Sequence, residues 1–258
     1  MSDFLLRDAA PFSPETWAKI DGMVVEVLKS SLVGRRFVDM VGPLGWGVEI
    51  APLTGFDKID GAAVAKDALY IPLKELSAEV VIKAKQLAIS AATPFALDLG
   101  AVAMAAVTLA KEEDKLVVLG LLDAGKKNTV AMGDWDVFMN PFKAVVAATA
   151  KLRTTGFDGP YALVLSPAKY AQLASSMQQG RKELDMVEKV LGGGILQCPI
   201  MPDDKAMVVS PKGWNFDMVV GQDAVTAYIG NEGLDHRLRI FETLALRVKL
   251  AGSICVLA

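Results

Sequence analysis

Two stretches of the chain alternate between apolar and polar residues, the period-2 pattern of a β-strand with one face in water. In the first, Leu76, Ala78, Val80, Ile82 and Ala84 alternate with mostly polar neighbours. The second runs over 238–250, where Glu242 alone interrupts the apolar face and arginines occupy the other. We therefore predict a strand within 69–88 and a long strand over 238–250.

Other stretches have the helical period. Trp17, Ile20, Val24 and Leu28 recur at helical spacing, with Ser13 suited to cap the helix and Pro14 to begin it. A second apolar run over 97–122 predicts a helix nearly 40 Å long, at about 1.5 Å per residue. Charged residues at 111–115 occupy the middle of this helix.

A region of mixed helices and strands follows. Helices are predicted over 140–152, 166–177 and 183–191, with strands over 161–165, 206–209 and 218–220. The glycines at 192–194 are interpreted as a linker and 178–181 as a polar tip. The fold class is therefore α+β.

The segment between the first two helices predicts an extended hairpin arm: a strand over 48–53, a loop over 54–66 and a returning strand over 69–88. Such an arm cannot bury both of its faces within its own domain. Apolar residues make up 52% of the 258-residue chain, so we expect its excess apolar surface to be covered by further copies of itself.

Composition argues against several other classes. The net charge is −3 without a Lys/Arg block, so no nucleic-acid partner is expected. The longest uncharged apolar stretch, 99–110, falls short of the ~20 residues of a membrane span. No secretory signal is visible, and Cys198 and Cys255 are typical of buried residues in a reducing cytoplasm.

Candidate chemistry is sparse. One histidine, His236, cannot complete a zinc site, and we expect it at an exposed polar position. The stretch from Ser166 to Lys169 matches the S-x-x-K pattern of serine acyltransferases, but Ser166 before Pro167 is better explained as a helix cap. We predict no catalytic residues, no metal and no cofactor.

Three stretches together resemble the encapsulins, bacterial and archaeal nanocompartment shell proteins of the linocin-like group. They extend over nearly the whole chain. The stretches are Gly34-Arg35-Arg36-Phe37-Val38-Asp39 with Gly42-Pro43-Leu44-Gly45-Trp46, then Gly156-Phe157-Asp158-Gly159-Pro160-Tyr161, and finally Val220-Gly221-Gln222-Asp223 with Tyr228 and Phe241-Glu242-Thr243.

The resemblance implies the major-capsid fold of tailed phages. Residues 1–47, 89–130 and 224–258 would form the peripheral domain, 48–88 the extended arm (the E-loop) and 131–223 the axial domain. The arm would lie across an adjacent subunit of a closed icosahedral shell. The lack of a long amino-terminal extension favours the smallest icosahedral class.

The implied function is containment of a cargo enzyme, of the ferritin-like, hemerythrin or dye-decolorising peroxidase class, in the cytoplasm. The cargo's C-terminal targeting peptide would dock on the lumenal face of the shell. An alternative is that Arg35 and Asp39 only bridge each other or anchor the fold. The residues expected at the docking surface are Val24, Leu28, Arg35, Asp39, Tyr228, Ile229 and Ile240.

The resemblance also places the axial tip at a five-fold pore, although a solvated turn is an equal alternative. The pore residues would be Gln178, Gln179, Gly180, Arg181 and Lys182. Some encapsulins bind a flavin against a tryptophan of the returning arm strand. Lys85 aligns with that position, so no flavin is expected there.

Two rival functions remain open at this point. One is a phage or prophage capsid protein that packages DNA, because capsid interiors need not be strongly basic. The other is a serine hydrolase that uses Ser166 and Lys169.

Overall fold

Residues 3–59 and 62–258 are described by the structure, a computed structural model of the chain. Within these ranges α1 begins as expected, with the Ser13 hydroxyl accepting a 3.2 Å hydrogen bond from the Thr16 N–H and Pro14 in the first turn. The α-helices in the same ranges are α1 (Pro14–Ser31), α2 (Ala84–Ala92), α3 (Gly100–Gly125), α4 (Asn140–Thr154), α5 (Pro167–Ser175) and α6 (Glu183–Leu191). Short 3₁₀ turns cover Asp3–Leu5, Arg7–Ala9, Gly34–Arg36 and Ala251–Ser253.

Helix α3 is the predicted long helix, displaced by three residues toward the C-terminus. Its 26 residues bury one continuous stripe. The stripe includes Glu113 and Asp114, two members of the charged run at 111–115. Both carboxylates have partners in other elements, which is what allows them to be buried.

One sheet of four strands packs against α1 and α3. Its order is β1 (Asp39–Val41), β13 (Phe216–Glu232), β14 (Asp235–Val248) and β6 (Lys74–Ile82). β13 runs parallel to β1 and antiparallel to β14, and β14 runs antiparallel to β6. The prediction of a short strand over 218–220 is wrong in extent, since bulges within β13 interrupt its alternation while its pairing with β14 continues.

The second sheet has five strands, and it packs against helices α4, α5 and α6 on one face and against α3 on the other. Its order is β11 (Gly192–Gln197), β8 (Tyr161–Leu165), β12 (Ala206–Val209), β15 (Ile254–Leu257) and β7 (Thr129–Val130). The glycines at 192–194 therefore begin a strand that pairs with β8, and their interpretation as a linker is wrong.

The tip of this region differs slightly from its prediction. Helix α5 ends at Ser175 and not at 177. The next residues form a small antiparallel hairpin of β9 (Met177–Gln178) and β10 (Arg181–Lys182). Gln179 and Gly180 both have positive φ and make its turn.

The arm consists of two short antiparallel ladders: β2 (Ile50–Leu53) with β5 (Leu69–Pro72), and β3 (Phe56–Ile59) with β4 (Ala62–Ala65). The prediction of a loop over 54–66 is therefore wrong. Asp60 and Gly61, which the predicted loop also included, lie outside the described ranges.

The returning strand ends earlier than predicted, because β6 stops at Ile82 and α2 begins at Ala84. Asp235 stabilises the chain where the strand ends and the helix begins. Its carboxylate accepts a hydrogen bond from the Ala84 N–H at 3.1 Å and pairs with Lys83 at 2.7 Å. Lys85 consequently lies in the first turn of a helix and not on the arm strand.

Three apolar clusters form the core. One joins α1, the first half of α3 and the sheet through Ile20, Leu109 and Ile240. A second joins the end of α3 to both sheets, and a third lies between the five-stranded sheet and helices α4 and α6. None of the helices in the described ranges is long and apolar enough to cross a membrane.

Candidate docking groove

A groove of about 300 Å³ opens between the C-terminal half of α1, the Gly34–Arg36 turn and the bulged part of β13. Leu28 and Leu32 are buried in its floor, and Val25 is exposed at its edge. Three cations and one carboxylate line it with these apolar residues. The charged lining residues are Lys29, Arg35, Arg36 and Asp223.

The turn at the end of α1 contributes Arg35 and Arg36 to the lining of the groove. Asp114 on α3 accepts hydrogen bonds from the N–H groups of Val33 and Gly34, the latter at 2.7 Å. A Cβ on Gly34 would lie only 3.2 Å from Val117, so a glycine allows this close approach to α3. The next residue, Arg35, is thereby directed between α3 and the sheet.

Arg35 is the centre of a charged cluster that joins four elements. Its Nε and one terminal nitrogen donate to Glu113 on α3 at 2.7–3.0 Å. The same terminal nitrogen donates to Glu242 on β14 at 3.0 Å, and the other donates to Asp223 on β13 at 2.9 Å. Burial alone would lower the pKa of Arg35, but the hydrogen bonds and charge of Glu113 outweigh it and raise that pKa.

The structure places the predicted docking residues in different settings. Leu28 and Arg35 line the groove. Val24, Tyr228 and Ile240 belong to the apolar cluster beneath α1. Ile229, 42% exposed, points away from that cluster.

Asp39 lies apart from the groove, on β1 opposite Asp217 of β13. The suggested bridge between Arg35 and Asp39 is not formed, since the Arg35 guanidinium pairs with Glu113, Asp223 and Glu242. Arg35 does anchor the fold, as the same alternative also expected.

Sequence reasoning missed Glu113 and Asp223 and recorded Glu242 only as an interruption. That interruption was the usable signal, because an acidic residue on the apolar face of a central strand must find a partner inside the protein. Glu113 gave no such signal, since it stands among other charged residues at 111–115.

The other candidate residues have structural explanations. The Ser166 hydroxyl accepts a 3.2 Å hydrogen bond from the Lys169 N–H and caps α5, as predicted. His236 is half-buried, so the expectation of an exposed position is wrong. Its ring lies near Phe12, and its Nδ1 is 3.4 Å from the Tyr228 hydroxyl. In the part of the chain described, no three His, Cys, Asp or Glu side chains meet as a metal site.

Comparison with known proteins finds relatives that align with this chain along its length. Residues 1–245 match the family model described as "Encapsulating protein for peroxidase". The chain is 33% identical to the type 1 encapsulin shell protein EncA of Myxococcus xanthus, with 100% of this chain and 97% of that protein aligned. It is also 33% identical to a diheme-cytochrome–encapsulin shell fusion protein of Kuenenia stuttgartiensis, over 94% of this chain and 72% of the fusion.

Solved structures with this fold include a virus-like particle from Pyrococcus furiosus, with a TM-score of 0.83 at 19% identity over 94% of this chain and 99% of that one. A protein of Mycobacterium phage Bobi follows, with a TM-score of 0.66 at 13% identity over 88% of this chain and 90% of that chain. At such identities the likeness concerns the fold alone. It confirms the predicted α+β, capsid-like architecture, while the domain boundaries 1–47, 48–88, 89–130, 131–223 and 224–258 stay predictions.

Proposed function

Since the chain belongs to the encapsulin family of shell proteins, we propose that many copies of it assemble into a closed icosahedral shell that encloses a cargo enzyme. The role of the chain itself is structural and not catalytic. The closed shell is the arrangement in which every copy covers the same surfaces of its neighbours.

The arm is the observation that carries this proposal. Leu69 and Tyr70 on β5 are 69% and 66% exposed, and Ile50, Phe56 and Val64 on the other arm strands are exposed as well. Isolated two-stranded ladders are marginally stable in water, and contiguous apolar surface of this kind marks an interaction site. A neighbouring copy would cover it.

The groove at the end of α1 is our proposed site for the cargo's C-terminal targeting peptide. Its floor of Leu28 and Leu32 suits aliphatic side chains, which is how a short peptide gains affinity in an apolar groove. Lys29 and Arg36 would receive an acidic side chain or the terminal carboxylate. Asp223 here takes the place that we first assigned to Asp39.

The cargo itself is proposed by class. The family description supports a peroxidase, in line with the dye-decolorising class, and the fusion relative carries a diheme cytochrome. The proposal also includes cargo of the ferritin-like and hemerythrin classes. We place the shell in the cytoplasm, where the free, buried Cys198 and Cys255 would stay reduced.

The test is to express the chain with its genomic neighbours and purify the resulting particles. Electron microscopy should show round, hollow shells, and mass spectrometry should identify the enclosed protein. A chain that stays monomeric in mild buffer would contradict the shell. Particles that hold nuclease-resistant DNA would instead support the rival capsid function.

Groove variants test the docking site separately from assembly. Lys29→Glu should lower the amount of cargo per shell at least about tenfold, because it repels the acidic end of the peptide. Lys19→Glu makes the same charge change on the exposed face of α1 outside the groove, and should leave cargo loading unchanged. Equal loading in the two variants would show that the cargo docks elsewhere.

The β9–β10 hairpin is our proposed rim of the five-fold pore. Residues 178–182 of this hairpin are exposed, and the two cations among them favour passage of anionic small molecules. An Arg181→Glu, Lys182→Glu double variant should slow the entry of an anionic dye into assembled shells. An unchanged rate of dye entry would indicate that the hairpin is a solvated turn and does not line the pore.

A further inference from the structure

Two glutamates that the docking proposal does not use lie together behind the groove. Glu113 on α3 and Glu242 on β14 both have fully buried side chains. Buried glutamates are almost always paired with a cation. Here both glutamates pair with one guanidinium, that of Arg35, which also forms an ion pair with Asp223.

The hydrogen bonds around this cation are unequal. Arg35 donates to both carboxylate oxygens of Glu113, at 2.7–3.0 Å. Glu242 receives a single bond, to Oε2 at 3.0 Å. Its other oxygen, Oε1, is buried without a hydrogen-bond partner. An ionised carboxylate with a bare oxygen beside a second buried carboxylate is strongly disfavoured, whereas a proton on one of the two relieves it.

Among the residues that the structure describes, Arg35 is the one cation paired with Glu242. The charges that act on it come from Glu113, Arg35 and Asp223. Strand β6 places Leu76 opposite it, while the adjacent Glu75 is engaged by Arg239. Asp114, the next acidic group on α3, accepts hydrogen bonds from backbone N–H groups. Glu112 and Lys115 pair with each other on the outside of the helix.

We propose that Glu113 and Glu242 share one proton beneath Arg35, and that this proton acts as an alkali-sensitive latch between α3 and the four-stranded sheet. The latch belongs to the folded subunit and does not depend on cargo docking. Between them, the two glutamates, the shared proton and the guanidinium carry no net charge. When the proton leaves, a second negative charge remains in the interior.

The direction of the effect follows from the surroundings of Glu242. Burial, and then the charge of Glu113, raise the pKa of Glu242 from 4.5 to about 9, against the opposing effect of Arg35. Between these two values the folded chain holds a proton that the unfolded chain has released. The contribution to stability is complete below about pH 4.5, declines as the pH rises, and is lost beyond about pH 9.

Purified shells provide the test. An infrared pH titration of the wild type should show the carbonyl band of a protonated carboxyl group at neutral pH, and this band should disappear as the pH passes about 9. Surface carboxylates are ionised at neutral pH and do not contribute. The band should be absent in Glu242→Gln and unchanged in Glu112→Gln, an exposed glutamate of the same helix. Asp114, the other buried acid whose pKa is raised, is present in both variants, so loss of the band in Glu242→Gln alone assigns it to the glutamate pair.

Thermal unfolding adds a second measurement. Because glutamine resembles the protonated side chain, Glu242→Gln should match the wild type at about pH 5 and exceed its Tm by at least about 3 °C near pH 9. Glu112→Gln, on the exposed side of α3, should follow the wild type throughout. A missing neutral-pH band, or a difference in Tm that does not vary with pH, overturns the proposal. If Glu242→Gln does not assemble, the wild-type infrared titration alone decides.

Discussion

Asp114 accepts a 2.7 Å hydrogen bond from the backbone N–H of Gly34, eighty residues earlier in the chain. The same carboxylate accepts from the N–H of Val33, so one buried side chain holds the turn that follows α1. Because Arg35 comes next, the shape of the groove and the charged cluster behind it both depend on this contact.

Replacement of Asp114 tests that dependence. Asp114→Ala leaves two buried N–H groups without an acceptor, which should lower the free energy of unfolding by about 2–5 kcal/mol. Chemical denaturation of the variant, with Asp123→Ala on an exposed part of α3 as control, measures the loss. A change within about 0.5 kcal/mol, like that expected for the control, would show that the turn is held by other contacts.

The helices were the most predictable part of the fold. The caps at Ser13 and Ser166 could be predicted because each depends only on residues within four positions of the helix start. Periodicity likewise identified β14, whose apolar face is interrupted only at Glu242. Such features depend on neighbours in sequence, so the sequence alone discloses them.

The predictions that were wrong concern features that depend on residues distant in sequence. The start of α2 is held in part by Asp235, about 150 residues away, and this contact has no local signal in the sequence. Likewise Glu113 looks like a surface residue until Arg35 and Glu242 are brought to it by the fold. Of the expected docking residues, Leu28 and Arg35 line the groove, while the carboxylates that orient Arg35 were not predicted.

Gly193 should not tolerate a side chain. A Cβ there would lie 2.5 Å from the Tyr161 carbonyl oxygen on the neighbouring strand, so backbone atoms would have to move. Gly193→Ala should destabilise the protein by about 1–3 kcal/mol, as overpacking typically does. Gly22→Ala is the matched control, because no atom lies within 4 Å of the new Cβ, and it should stabilise α1 by about 0.5–1 kcal/mol. Equal effects of the two changes in thermal unfolding would contradict this prediction.

Substitutions of Ser166 distinguish its role as a helix cap from a role as the nucleophile of a hydrolase. Ser166→Ala removes the hydrogen bond to the Lys169 N–H and should cost about 0.5–2 kcal/mol of stability. Ser166→Thr, which keeps the hydroxyl that accepts this hydrogen bond, should restore part of the loss. Assays with activated esters should give the same background rate for all three proteins. Ester hydrolysis that disappears in Ser166→Ala would reopen the case for a serine enzyme.

The arm permits the sharpest separation of assembly from folding. Leu69→Lys places a charge on a side chain that is 69% exposed in the single subunit, so the fold should lose less than about 0.5 kcal/mol. In the shell the same lysine would be buried against a neighbour without a partner, and the cost would recur at every copy. We therefore expect a folded subunit with normal circular dichroism that no longer forms particles in light scattering or electron microscopy. Asp67→Lys, an exposed polar position two residues earlier, serves as the control and should assemble. Normal shells from Leu69→Lys would mean that this part of the arm is not covered by another copy, whereas an unfolded variant would mean that Leu69 contributes to the fold of its own subunit.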